Sequence, residues 1–164
     1  MKHIYIVVLS ILSLFSAQKI QAQEIYNYVL DNATRTVNNP TSSFTQTRIA
    51  QFKRTALIYL RSQALEKRGK ISTEFLDTQA YYLSEFLTAF LSDVVKCGKE
   101  DAKSARRRIL EIYMKASETN PLFGDTDEET TLSYVKSGED LTPFSLDTDW
   151  QKAKESEEIL MKSK

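Results

Sequence analysis

The chain is nearly without histidine: His3 is the only one in 164 residues, and it lies in a stretch that reads as a removable leader. Ser-His-Asp and Cys-His catalysis are excluded in what remains, as is any zinc site built on imidazole. Cysteine is equally scarce. Cys97 stands alone, so there can be no intramolecular disulfide and no thiolate zinc site. It follows Phe90 by seven residues at the end of an apolar row, which favours a buried thiol over pairing with a second molecule. Neither sign of charge dominates, with 22 basic side chains against 22 acidic. That balance gives no argument for nucleic acid or an anionic membrane as partner. With four glycines and three prolines, the chain forms no glycine-rich phosphate loop. No cofactor is expected, and acid–base chemistry could fall only to carboxylates, Tyr or Lys.

What is present begins with an address. Lys2 and His3 precede an uncharged apolar run from Ile4 to Phe15, too short for the roughly 20 residues that span a bilayer. Ile20-Gln21-Ala22 is an acceptable cleavage signal before Gln23. Residues 1–22 are therefore expected to be a signal peptide without a lipid-anchor cysteine. Residues 23–164 are expected to form one periplasmic or secreted domain, with no stable membrane insertion after cleavage. Losing Lys2 and Lys19 leaves the acidic side chains two ahead of the basic.

Helical periodicity dominates that domain. Ile25, Val29, Ala33 and Val37, with Tyr26 and Leu30 alongside, predict a first helix over 24–37 that stops before Pro40. A second runs from Ser43 or Thr45 to Arg68, with Ile49, Phe52, Ala56, Tyr59, Leu60 and Gln63 inward. Gln51, Lys53, Arg54 and Arg61 fall on its wet side, and Gly69 caps it. The widest apolar sector belongs to residues 74–97. Leu76, Ala80, Leu83, Leu87, Phe90, Leu91 and Val94 form one row, with Phe75, Tyr82, Phe86 and Ala89 beside it. So little polar surface requires neighbours on most sides, which makes this the central helix of a bundle. Ser72 or Thr73 is its expected cap. A fourth helix runs to about Thr119 and buries Ala102, Ala105, Ile109, Ile112, Tyr113 and Ala116. A capping box at Thr126–Glu129 opens a short helix to Ser137. Leu141, Phe144 and Leu146 form an extended segment packed back on the bundle. Asp147 or Thr148 then caps a last helix carrying Trp150 and Ala153, frayed from Glu155 onward. The fold class is all-α: a single-domain bundle of about four long helices, a short helix and a C-terminal helix.

Three segments carry a resemblance. LDTQAYYLSEFL (Leu76 to Leu87), ASETNPLFGD (Ala116 to Asp125) and LTPFSLDTDWQKA (Leu141 to Ala153) resemble a group of small exported helical proteins of Bacteroidetes-type bacteria. The resemblance implies an exported, single-domain, all-α protein and transfers no activity and no site residue.

Candidate site residues are few. Asp77, Tyr81 and Glu85 recur at four-residue spacing and share a face, with Tyr82 adjacent. Two carboxylates about 12 Å apart along a helix are too distant for paired-carboxylate glycosidase chemistry on their own. The cluster could fasten neighbouring helices, with the acids pairing to Arg54, Arg61 or Lys70, or it could line a polar mouth for a sugar or peptide. Trp150 is a docking plug or a carbohydrate platform. The acidic turn Asp125–Glu129 fails the EF-hand pattern, because Thr130 and Lys136 stand where Gly and Glu are required. Arg106, Arg107 and Arg108 fan over about 200° of helix and cannot all face one ligand. Two functions follow as expectations. The first is a non-enzymatic binding or interaction protein of the cell envelope, meeting another envelope protein or a small ligand. The alternative is a hydrolase or lyase on carbohydrate or peptidoglycan, using Asp77 with Glu85, or Asp147 with Asp149.

Overall fold

The structure, a computed structural model, describes residues 24–67, 72–97, 102–124 and 144–163. The expected leader, the cap at Gly69, the capping box at Thr126, the short helix to Ser137 and Leu141 lie outside the described residues. Five helices occupy the rest: α1 (Glu24–Asn38), α2 (Phe44–Lys67), α3 (Thr73–Lys96), α4 (Ala102–Glu118) and α5 (Trp150–Lys162). The all-helical class holds, and no described residue is in a strand. No helix among the described residues is long and apolar enough to cross a membrane.

α3 is the hub and packs against each of the other four helices. Ser72 starts it, its hydroxyl accepting from the Phe75 amide at 3.2 Å and so satisfying one of the donors a helix start leaves orphaned. Leu76, Ala80, Leu83, Phe86, Leu87 and Phe90 are all buried. α2 starts with a capping box that was legible as Ser43-x-x-Gln46. The Ser43 hydroxyl accepts from the Gln46 backbone amide at 3.3 Å, and the Gln46 side-chain Oε1 accepts from the Ser43 amide at 2.9 Å. Its buried face takes in Leu57 and Ala64 beside the expected Ile49, Phe52, Ala56 and Leu60.

In α1, Val29 and Ala33 of the expected row are buried, but its first member is not. Ile25 is exposed, and Tyr26 takes the inner place instead. The ring is buried there because its hydroxyl has a partner, the Leu57 carbonyl in α2 at 3.1 Å. In α4 the fully buried residues among those described fall between Ile112 and Ser117, while Ala105 and Ile109 are half-buried and the burial of Ala102 is outside the description.

The segment before α5 closes the bundle. Phe144 through Thr148 are all buried and clamped to the end of α4 by hydroxyls. The Ser145 amide donates to Ser117 Oγ at 3.0 Å, and Ser117 Oγ lies 3.1 Å from Thr148 Oγ1. Asp147 accepts from the amides of Leu122 and Phe123 at 3.2 and 2.9 Å. With Asp147 so used, the cap of α5 is Asp149, not Asp147 or Thr148. α5 stays helical past Glu155 to Lys162, held by the buried Glu157.

Six aromatic side chains meet where these elements converge. Phe86 lies edge-on to Tyr113, Phe144 and Trp150 at centroid distances of 5.1, 5.4 and 5.6 Å. Phe52 meets Phe144 and Trp150, both at 5.9 Å. Phe90 meets Tyr113 at 5.3 Å and Phe144 at 5.1 Å. Edge-to-face pairs add about 0.5–1.5 kcal/mol each beyond the area they bury.

Candidate functional site

The residues singled out from sequence divide into internal and external sets. Asp77 is internal. Its Oδ1 accepts from the Tyr26 amide at 2.7 Å, so a carboxylate of α3 caps the first turn of α1. Among the described residues it pairs with backbone rather than with Arg54 or Arg61, Lys70 lying outside them, and its burial takes it out of the polar mouth. Trp150 is also internal, with no exposed surface, so a stacking ligand cannot reach it. Gln79, which sequence reasoning passed over, fixes it there. The Gln79 side-chain oxygen accepts from the Trp150 amide at 2.8 Å, and its nitrogen donates to Asp149 Oδ1 at 3.2 Å. Tyr81 is half exposed and stands edge-on to the half-buried Tyr82 at 5.2 Å. Glu85 is exposed. Four-residue spacing put Asp77, Tyr81 and Glu85 in a row, but the row crosses the boundary between core and water.

The concavity that does form lies where α1 meets α2, with Ser84 and Leu91 of α3 contributing to its wall. It encloses about 290 Å³. Tyr28, Asn32, Thr45 and Gln46 are exposed and make its rim. Val29, Ala33, Ile49 and Ala50 are buried and make its floor. Two of these four are alanines, one on each facing helix, and their small size opens the space.

Among the described residues Lys53 is the one cation in this lining. It was expected on the wet side of α2, yet it is half-buried. The signal was available: Ile49 and Ala50 precede it by four and three residues, and Ala56 and Leu57 follow by three and four. All four are buried, so position 53 lies within the inward sector. Its ammonium donates to Ser84 Oγ at 3.5 Å. Among the described residues no carboxylate lies within salt-bridge distance of it. Burial pulls the Lys53 pKa below its ordinary value, and the carboxylate of Glu85 partly offsets this. Glu85 thus does bear on the cleft, as a charge near its cation.

A second polar cluster fastens the opposite side. The Tyr113 hydroxyl donates to Asp93 Oδ2 at 2.7 Å and lies 3.3 Å from Glu157 Oε1. Lys154 bridges Glu157 and Glu158 at 2.8 and 2.7 Å. Burial first, then the two carboxylates, push the Tyr113 phenol far above its usual pKa. This joins α3, α4 and α5. Arg107 pairs with Glu111 at 3.0 Å on a well-solvated face. Cys97 is half-buried rather than buried, its thiol 3.4 Å from the Asp93 carbonyl. A hollow beside Ser104, Ala105, Arg108 and Ile109 is walled, among the described residues, by α4 alone. No group of three or more metal-ligating side chains occurs among the described residues. Compared with known proteins, the chain matches no family model, no curated protein and no solved structure.

Proposed function

We propose that the protein is an exported, non-enzymatic binding protein of the bacterial envelope that holds a small ligand in the cleft between α1, α2 and α3. The observation carrying this reading is the half-buried Lys53, without a carboxylate partner among the described residues, in a cleft with an apolar floor and an exposed polar rim. Ligand sites combine those features: apolar walls, a few placed polar groups and a pre-formed hollow. The export half of the reading rests on the leader-like residues 1–22 and on the resemblance carried by three segments. The hydrolase reading has less support, because Asp77, Asp147 and Asp149 each accept bonds from backbone amides.

The test has two parts. Expressed with its leader in a Gram-negative host, the protein should be recovered from the periplasm or medium with Gln23 as its first residue. Retention of residues 1–22 in the cytoplasm would refute export. Small amphiphiles, sugars and short peptides added to the isotope-labelled mature chain should move the amide resonances of Ile49, Lys53 and Ser84. A library that moves none of them removes the cleft from consideration.

A further inference from the structure

The chemistry of the cleft narrows what it would hold. An ammonium carries three N–H donors, and the described partners of Lys53 use only one of them, in a long bond to Ser84. In accepting that bond, the Ser84 hydroxyl keeps its own proton free to donate. An N–H⁺ and an O–H therefore stand side by side, a pair of donors matched to the two oxygens of one carboxylate. Charge limits the head group further. Among the described residues Lys53 is the only cation in the lining, and Glu85 lies close enough to influence it. A dianion such as a phosphate monoester would bring a second negative charge that no other described residue of the lining neutralises, near an existing carboxylate and a poorly solvated wall. Beyond the head group, Val29, Ala33, Ile49, Ala50 and Leu91 present only aliphatic surface. A sugar would leave its hydroxyls unpaired there.

We infer that the cleft is a site for a monocarboxylate with a short aliphatic tail, its head on Lys53 and Ser84 and its tail along the Val29–Ile49 floor. This rests on the reading of the cleft as a binding site. At about 290 Å³ the space lies near the lower end of the roughly 300–1,000 Å³ typical of small-molecule pockets, so the tail is short.

Titrating the mature protein with hexanoate, hexanol and hexyl phosphate, followed by amide shifts at Ile49 and Ser84, tests both levels. Hexanoate should bind about tenfold more tightly than hexanol, the scale of one charge-assisted hydrogen bond. Lys53→Met should erase that preference while hexanol still binds, and Lys53→Arg should keep most of it. Equal binding of hexanoate and hexanol, unaffected by Lys53→Met, would overturn the head-group assignment and leave the cleft reading intact. Tighter binding of hexyl phosphate than of hexanoate would overturn the restriction to a single charge. Failure of all three probes to move either amide would overturn the proposal and weigh against the cleft itself.

Discussion

Asp77 and Tyr81 stand one helical turn apart on α3, yet substitutions at the two should behave differently. Removing the Asp77 carboxylate strands the buried Tyr26 amide at the start of α1. Asp77→Ala should cost about 1.5–3 kcal/mol, the range for a hydrogen bond to a charged group. Tyr81→Ala, at a half-exposed ring, should stay within about 1 kcal/mol. Urea unfolding of both variants checks the contrast. Tyr113 makes a prediction in pH. Its folded pKa lies above the ordinary 10.0, so above that pH the unfolded chain releases a proton that the folded chain keeps. The folded state then holds more protons, and stability falls as pH rises past about 10. Tyr26, raised chiefly by burial, acts in the same direction. Lys53, lowered by burial, acts oppositely, so the tyrosine contribution must be isolated with Tyr113→Phe. That variant should show a shallower loss of stability at alkaline pH, and tyrosinate absorbance in the parent should show Tyr26 and Tyr113 titrating late.

α1, α2, α3 and α5 each begin with a specific device, and these differ in how far they could be read in advance. Ser72 before α3 was one of two hydroxyls, with Thr73, expected to cap it. Ser43 and Gln46 form a reciprocal pair whose spacing was equally visible. Ser43→Ala should cost about 1 kcal/mol, measured as a lowered Tm. α1 borrows its cap from Asp77, 51 residues away, and no local pattern encodes that. The same reason explains why the candidate site was only partly legible. Periodicity identifies which residues share a face, and it located the α3 core correctly through Phe90. It does not say where two helices leave a gap. That depends on Ala33 and Ala50 facing one another across an interface, and small residues in a buried row read as ordinary packing. Lys53 was assigned to water by its charge, although its neighbours at three and four residues on either side are all buried.

At the scale of the molecule, stability depends on the joint between α3 and the 144–150 segment. Trp150 has no exposed surface and contacts rings from α2 and α3. Trp150→Ala should cost about 3–5 kcal/mol, a large share of the roughly 5–15 kcal/mol that holds a domain folded. The expected outcome is an early, broad thermal transition by circular dichroism. As the only tryptophan, Trp150 also reports on the parent, whose emission should shift to the red in one step on unfolding.

The aromatic cluster has a consequence in time as well as in energy. Phe52, Phe86 and Phe90 leave the ribosome long before Phe144 and Trp150, the rings they close upon. Until residues 144–150 are made, those three rings have no cover from that segment, so the bundle cannot complete its core while most of the chain is already synthesised. The core is thus completed only when the last part of the chain has been made.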